Sequence, residues 1–479
     1  MNSGSGSARD EFGVVVMHFG GPWLKDSGGL RRAARIIKHR LRYKMVVVVG
    51  ALSDVLEQLS VCARSAANGE LDRASETVRQ LRERHHAIAS ALVSGSELQT
   101  LFCLLEAEFD ALLELVRDVA AIRELTPRTL DNILEFGDNL ASRIFAAALA
   151  DAGMNVSAID SSALYPVERD FAEQPCLCPQ AQSRIAQILA PAISAGRIPV
   201  IPASCKKVAH ENQGRNQRLH LTPALVASAL EAHVIEFWTD VDGFTTADPG
   251  LCPEAQGIEE LTFEEASELA DFAVQGVHCA DMRALIANPI PVHVLNLYHP
   301  GGKGTRIVRH ASTSRRVKAI AARRGVAIAQ LRAHRQSAPQ LLREIYRVFE
   351  SHQETPNLLS WSGAGFSLLA NSATTLAAAG ENLKGTADIT WENHKALVAV
   401  VGQKIRSSSE ILSQALHELA GIKLRLIADG NLEGSLTFLI DDRDTEEAVQ
   451  RLHRLFFEPK SRESQVPVQS LCQAGESWE

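Results

Sequence analysis

The sequence predicts an α/β protein in which a mostly parallel sheet, covered by helices on both faces, precedes two small modules. The first observation is that short apolar runs alternate with segments of helical periodicity as far as residue 308. Such alternation is typical of a three-layer α/β/α domain. The second observation is that the order of elements then becomes strand, helix, strand, strand, and that this order occurs twice.

Six short apolar runs are the predicted strands of the large domain. They are FGVVVMHF (12–19), MVVVVGAL (45–52), VSAIDS (156–161), IPVIPAS (198–204), VIEFWTDVDG (234–243) and IPVHVLNL (290–297). Apolar spacings of three and four predict long helices at Leu71–Leu92 and Leu98–Ile122. The many charges of the first helix predict a solvated face for its pair His85 and His86. Ligands of such sheets bind beyond the carboxyl ends of the strands, so that edge is the predicted site.

The segment after residue 308 predicts two ferredoxin-like modules of order βαββαβ. In the first module, strand VKAIAARRGVAIAQL precedes helix QLLREIYRVFESHQ and strands within LLSWSGAGFSLL. In the second, strand ALVAVVGQKI precedes helix SEILSQALHELAG, strands LRLIADG and GSLTFLIDD, and helix TEEAVQRLHRLFF. The predicted parts are a disordered N-terminal tail, the large domain, the two modules and a polar C-terminal tail, with bounds at 1–11, 12–308, 309–391, 392–458 and 459–479.

Composition favours a small-molecule partner. The 479 residues carry a net charge of −8, which argues against a surface for nucleic acid or an anionic membrane. The N-terminus lacks the apolar core of a signal peptide, so a cytoplasmic location is expected. The eight cysteines form no CxxC pair, so reduced thiols are expected and no metal site is predicted.

The stretch from Val14 to Gly28 has the layout of a phosphate-binding loop, because a buried strand runs into a Gly-Gly turn. Gly20 and Gly21 have no Cβ, so their backbone amides can approach phosphate oxygens closely. The alternative is a purely structural turn.

Five or more blocks in order make the chain resemble the aspartokinase family. HFGG (18–21) resembles its KFGGTS, VVVVGAL (46–52) its VVVSAM, EFGDNLASR (135–143) its FGERLSAR, and FWTDVDGFTTADP (237–249) its WTDVDG and TADP block. IPVHVLN (290–296) and GTRI (304–307) close the domain in the family's order. The resemblance implies an amino-acid-kinase domain followed by two ACT domains. The implied reaction transfers the γ-phosphoryl group of Mg²⁺-ATP to the side-chain carboxylate of L-aspartate, in the route to lysine, threonine and methionine.

The resemblance implies a largely retained nucleotide site. Its phosphate and nucleotide residues are Gly20, Gly21, Trp238, Thr239, Asp240, Asp242, Gly243, Asp248, Pro249 and Gln275. Gln275 stands where the family has a phosphate-contacting lysine, and it can donate hydrogen bonds but supplies no charge. A buried strand that ends in an Asx-type turn is the structural alternative for the WTDVDG block.

The catalytic positions depart further from the family's pattern. His18 replaces a lysine, Pro22 a threonine and Gly50 a serine, while Asp138 stands for a glutamate. The family's GRGGSD motif is replaced within HENQGRNQRLHLTPA (210–224). The family's substrate-contacting arginine corresponds to Arg215 or to Asn216, depending on where one inserted residue is placed, and Arg215 is the candidate. Phosphoryl transfer depends on neutralised charge. Four cations could compensate, or could form a solvated face: Lys25, Lys206, Lys207 and Arg218.

For the two small modules, the resemblance implies amino-acid sensing. The positions that correspond to the family's effector loops are Gln336, Ser337, Ser362 and Asp429. The resemblance also implies a homo-oligomer, such as a dimer, or a hetero-oligomer with an active homologue. Three functions stay open at this point: a kinase for aspartate or another carboxylate, a catalytically inactive paralogue that senses nucleotide or amino acid as a regulatory subunit, and a stable protein with eroded function.

Overall fold

The computed structural model covers the large domain and most of both small modules. It describes residues 13–20, 23–164, 179–203, 223–270, 272, 277, 279–312, 315–333, 338–351, 358–362, 365–370, 376, 380, 387–429 and 434–458. No helix among these residues is long and apolar enough to span a membrane.

The large domain alternates strands and helices as the sequence predicts. Its strands are β1 Val15–Phe19, β2 Met45–Val49, β3 Val156–Ala158, β4 Ile198–Pro202, β5 Val234–Thr239, β6 Glu260–Thr262, β7 Val292–Asn296 and β8 Thr305–Val308. Its helices are α1 Ser27–His39, α2 Val55–Ala67, α3 Leu71–Leu92, α4 Gly95–Ile122, α5 Pro127–Asp151, α6 Ser161–Leu164, α7 Pro179–Ser194, α8 Pro223–Ala229, α9 Phe263–Ala270 and α10 Cys279–Ala287.

These eight strands form one sheet in the order β3-β4-β2-β1-β5-β7-β8-β6. All neighbours are parallel except β7 and β8. Alternate side chains of β1 enter two apolar clusters: Met17 and Phe19 pack with α2 to α5, whereas Val16 packs with α7 to α10. The predicted three-layer arrangement with a mostly parallel sheet is therefore confirmed.

The helical hairpin of α3 and α4 contains a buried histidine. His85 is 0% exposed, its Nδ1 lies 2.7 Å from the carbonyl oxygen of Leu81, and its ring packs edge-on against Phe109. The predicted solvated face is therefore wrong for His85, because α4 covers this side of α3. His86 is half-buried and stacks on Phe102.

The C-terminal region repeats the order strand, helix, strand, strand. The first unit contains β9 Val317–Ala333, α11 Ala338–Ser351, β10 Leu358–Ser362 and β11 Gly365–Ala370. The second contains β12 Ala387–Gly402, α12 Ser409–Glu418, β13 Leu426–Asp429 and β14 Ser435–Asp441, followed by α13 Thr445–Phe457. All six strands belong to one sheet, in the order β10-β11-β9-β12-β14-β13, and its described pairs are antiparallel.

Strand β9 contributes to different apolar cores along its length. Its first half, including Val317 and Ile320, packs with α12 and α13. Its second half, including Leu331, packs with α11 and β11. Gly325, with a φ of +74°, lies between the halves. The core of the second unit therefore includes residues from the first strand of the first unit.

Candidate nucleotide site

The carboxyl ends of β1, β2, β5 and β7 meet at one edge of the large sheet. Gly20 follows β1, Gly50 follows β2 and Asp240 follows β5. The amide of Gly50 donates to Phe19 across 2.8 Å, and the amide of Leu297 donates to Thr239 across 2.8 Å. These hydrogen bonds hold neighbouring strand ends together where ligands of parallel sheets bind.

Gly20 and Gly50 make a close backbone contact at this edge. A Cβ atom on Gly50 would lie 3.2 Å from the Cα atom of Gly20, and one on Gly20 would lie 3.4 Å from the Cα atom of Gly50. The absence of a side chain at position 50 therefore lets the loops after β1 and β2 approach each other.

His18 lies beside the same turn. A Cβ atom on Gly20 would lie 3.1 Å from Cε1 and 3.2 Å from Nε2 of the His18 ring. The ring, which is half-buried, also packs edge-on against Phe237 with centroids 5.3 Å apart. The structure thus brings the imidazole next to the glycine turn.

Asp138 connects α5 to the loop after β2. Its Oδ1 accepts a 2.6 Å hydrogen bond from the amide of Ala51, and the residue is 4% exposed. A Cβ atom on the neighbouring Gly137 would lie 3.2 Å from the Cβ of Ala51, which is a tight contact. Asp138 therefore fixes the backbone beside Gly50, and this contact is its described role at the site.

The side chains of Trp238 and Thr239 are buried rather than exposed to solvent. Each is 1% exposed. The Trp238 indole donates to Glu236 Oε2 across 3.0 Å and stacks on Phe19, while Arg40 forms an ion pair with the other oxygen of Glu236. Burial raises the pKa of Glu236, although Arg40 opposes this. These side chains fix the position of β5, so Trp238 serves the site through the strand that it anchors.

Asp240 and Asp242 are exposed in the loop that follows β5. The side-chain amide of Asn296 donates to Asp242 Oδ1 across 2.9 Å, and His299 Nδ1 lies 3.4 Å from the same oxygen. Asn296 also accepts a 2.7 Å hydrogen bond from the amide of Tyr298. The loops after β5 and β7 are therefore joined, and two carboxylates face solvent at the edge of the sheet.

Glycine is required at position 243 by the backbone conformation and by the neighbouring residues. Its φ of +101° lies in the region that favours glycine, and a Cβ would lie 2.4 Å from Thr305 Oγ1. The Thr305 hydroxyl accepts a 2.8 Å hydrogen bond from the amide of Phe244. The GTRI block therefore supports the turn that follows Asp242.

A hairpin, residues 244–258, continues from this turn. The amide of Ile258 donates to Phe244, and the amide of Thr246 donates to Gln256, each across 2.8 Å. At the tip, Asp248 Oδ1 accepts a 2.8 Å hydrogen bond from the amide of Gly250 in an Asx turn. Asp248 and Pro249 are exposed.

Of the remaining predicted site residues, three lie in the described part of the chain. Lys25 is exposed just before Asp26, which caps the N-terminus of α1. Ser362 and Asp429 end strands β10 and β13. The positions outside the described residues are Gly21, Lys206, Lys207, Arg215, Arg218, Gln275, Gln336 and Ser337. Within the described part of the chain, no group of three or more His, Cys, Asp and Glu residues could hold a metal ion.

Sequence reasoning assigned no role to Asn296, Thr305 or Glu236. The signal for the first two was present, because Asn296 ends the IPVHVLN block and Thr305 belongs to GTRI. Glu236 has the weaker signal of a charged residue inside an apolar strand, two positions before a tryptophan.

Comparisons with known proteins agree with this architecture. A model of the amino acid kinase family matches residues 13–296, more than half of the chain, and a model of the ACT domain matches residues 398–456. Aspartokinase 1 of Arabidopsis thaliana, a chloroplastic protein, is 26% identical over 471 residues, which cover 94% of this chain and 81% of that protein. The lysine-sensitive aspartokinase 3 of Escherichia coli is 24% identical, over 93% of this chain and 99% of the relative.

Solved structures show the same fold. E. coli aspartokinase III in complex with aspartate and ADP has a TM-score of 0.76 at 24% identity, over 93% of this chain and 100% of that chain. The same enzyme in complex with lysine and aspartate has a TM-score of 0.72, with the same identity and coverage. The chain therefore belongs to the amino acid kinase family and is a member of its aspartokinase group, with an ACT region after the kinase domain.

Proposed function

We propose that the chain binds Mg²⁺-ATP at the carboxyl ends of β1, β2, β5 and β7 and transfers the γ-phosphoryl group to L-aspartate. The product is 4-phospho-L-aspartate, formed on the side-chain carboxylate. The observation that carries the proposal is the exposure of Asp240 and Asp242 in the loop after β5, where Asn296 holds Asp242 next to the turn at Gly243. The ADP and aspartate bound by the E. coli relative support this choice of ligands.

Each part of the edge has a role in this proposal. The backbone at Gly20, Gly21 and Gly50 approaches the phosphates, and His18 contacts them from beside the turn. Asp138 keeps the loop after β2 in place through Ala51. The nucleotide is bound by the loop that follows β5 and by the tip of the hairpin. Arg215 contacts the substrate carboxylate and Gln275 donates a hydrogen bond to phosphate.

The proposed transfer is slow unless other cations compensate. Loss of one preorganised donor typically lowers a rate by about 10²- to 10³-fold. Here His18 and Gln275 stand at two lysine positions of the family's pattern. The proposed replacements for these charges are Lys25, Lys206, Lys207 and Arg218. A site rebuilt with these cations could also accept a carboxylate substrate other than aspartate.

A second candidate function is a catalytically inactive paralogue that senses nucleotide or an amino acid as a regulatory subunit. The packing of His18 against Phe237 favours it, because this position supplies a ring contact where phosphoryl transfer needs a fixed charge. In either case the ACT region is the proposed effector site, with Gln336, Ser337, Ser362 and Asp429 nearest the ligand. The proposed assembly is a dimer of this chain or a hetero-oligomer with an active homologue, in the cytoplasm.

The deciding experiment measures aspartyl hydroxamate formed from Mg²⁺-ATP and L-aspartate in the presence of hydroxylamine. A rate above the enzyme-free control that disappears in Asp240→Ala supports the kinase. Binding of Mg²⁺-ATP by calorimetry, without product from aspartate or related acids, supports the regulatory subunit. A protein that binds neither Mg²⁺-ATP nor an amino acid contradicts both.

A further inference from the structure

One side of the hairpin 244–258 packs against the apolar core of the second C-terminal unit. Ala247 and Cys252 of the hairpin are buried in the same apolar core as Val398, Phe438 and Leu452 of that unit. Leu251 and Ala255 are partly buried and pack against this core as well. One side of the hairpin is therefore built into the C-terminal unit, while Asp248 and Pro249 are exposed at its tip.

Three hydrogen bonds also join the hairpin to β9 and α13. The amide of Ile320, in β9, donates to the carbonyl oxygen of Thr246 across 2.8 Å. The side-chain amide of Gln450, in α13, donates to the carbonyl oxygen of Leu251 across 3.0 Å. His453 Nε2, also in α13, lies 2.9 Å from the hydroxyl oxygen of Thr246.

Thr246 is the point where these contacts converge. Its hydroxyl oxygen also accepts a 2.9 Å hydrogen bond from the amide of Gln256, so one side chain joins both strands of the hairpin to α13. His453 is 1% exposed and stacks on Phe457. Among the described residues, His453 Nδ1 has no hydrogen-bond partner, so the polar contact of this ring is made through Nε2.

We propose that His453 is a positioning residue for the nucleotide, because it holds Thr246 and thereby fixes the hairpin that continues from Asp242 and Gly243. This inference rests on the proposed nucleotide site. It assigns α13 a part in the affinity for Mg²⁺-ATP, although His453 lies 207 residues after Thr246 in the chain. Affinity for L-aspartate does not depend on this contact.

The test is the binding of Mg²⁺-ATP, by calorimetry, to full-length His453→Phe and His453→Gln. Phenylalanine keeps the stacking on Phe457 and removes the ring nitrogen, which leaves the buried Thr246 hydroxyl without this partner. Glutamine retains a donor that can reach Thr246. We expect about tenfold weaker binding in His453→Phe, which corresponds to about 1.4 kcal/mol, and a change of at most about threefold in His453→Gln.

Leu452→Ala is the matched control, because Leu452 is 0% exposed in the same core and belongs to the same helix. It destabilises the unit without removing the contact to Thr246, so its Mg²⁺-ATP affinity should stay within about twofold of wild type. L-aspartate binding should likewise change by less than about twofold in all three variants. Unchanged Mg²⁺-ATP binding in His453→Phe, or an equal loss in Leu452→Ala, would overturn the inference.

Hydrogen exchange separates this inference from the proposed function. The amides of Thr246 and Gln256 should exchange faster in His453→Phe than in wild type or His453→Gln. If wild type binds no Mg²⁺-ATP, the proposed function fails, and these exchange rates then decide whether His453 holds the hairpin. Equal rates in all variants would refute that role independently of any nucleotide.

Discussion

At the scale of single residues, the side chain at position 18 sets the charge beside the glycine turn. Its imidazole lies beside Gly20, and it stands where the family's pattern has a lysine. Because transfer between two anions depends on neutralised charge, the identity of this one side chain should affect the rate more than it affects folding.

We expect His18→Lys to raise the rate of aspartyl hydroxamate formation by at least about tenfold, because it supplies a fixed positive charge near the phosphates. The matched control is His18→Gln, which keeps a polar side chain without the charge and should not increase the rate. Initial rates at saturating Mg²⁺-ATP and L-aspartate provide the measurement. A lysine variant no faster than the glutamine variant would show that charge at position 18 does not limit the reaction.

Other residues at the site act through backbone geometry. Gly50 permits the contact with Gly20, Gly243 adopts a positive φ beside Thr305, and Asp138 holds the amide of Ala51. Their positions in the blocks were predictable from the sequence. Their partners were not, because these contacts join segments that are far apart in the chain.

At the scale of elements, apolar runs predicted six strands of the large sheet and their spacing predicted α3. The structure adds β6 and β8, which contain three and four residues, each including a charged one, and therefore do not form apolar runs. The burial of His85 was missed for a tertiary reason: the charges around it suggest an exposed helix, but α4 covers this face.

The histidine buried between helices α3 and α4, His85, should make the free energy of unfolding sensitive to acid. Burial lowers the pKa of His85 to about 4, below the value near 6.5 of an unfolded histidine. Above pH 6.5 the ring is neutral in both states. Between pH 6.5 and 4 only the unfolded chain takes up the proton, so folding loses up to about 3 kcal/mol across this window and no more below it.

Thermal midpoints of wild type and His85→Leu, measured between pH 7 and pH 4.5, would check this expectation. The midpoint of wild type should fall more steeply than that of the variant, which has no ring to protonate. His39→Gln is the control, since His39 is exposed on α1. Parallel curves for wild type and His85→Leu would mean that His85 is not responsible for the acid sensitivity.

At the scale of the whole molecule, the kinase domain and the C-terminal sheet share an apolar core. Ala319, Ala321, Ala399 and Val401 of β9 and β12 belong to the same cluster as Leu269 of α9. Glu268 accepts a 2.7 Å hydrogen bond from Ser435 across this boundary. The tandem modules were predictable from the repeated order of elements, but this shared core was not, because the apolar pattern does not specify which faces meet.

We therefore expect a chain that ends at residue 312 to have a thermal midpoint at least about 5 °C below that of the full chain, because its α9 face loses these partners. Differential scanning calorimetry and size-exclusion chromatography provide the measurement. A chain that ends at Glu458 is the control and should behave like the full protein. An unchanged midpoint and a monodisperse profile for the shorter chain would contradict a shared core.

The pairing of β9 with β12 along its whole length predicts an order of folding. Val317 pairs with Gly402 and Ala322 with Val398, so the outer pairs of β9 and β12 enclose all of α11, β10 and β11. The inner pairs, such as Leu331 with Ile389, close a shorter loop. Because the entropy lost on closing a loop grows with its length, we expect the inner pairs to form before the outer pairs. Pulse-labelled hydrogen exchange should therefore protect Leu331 before Val398; the reverse order would mean that the outer pairs form first and the first unit folds inside them.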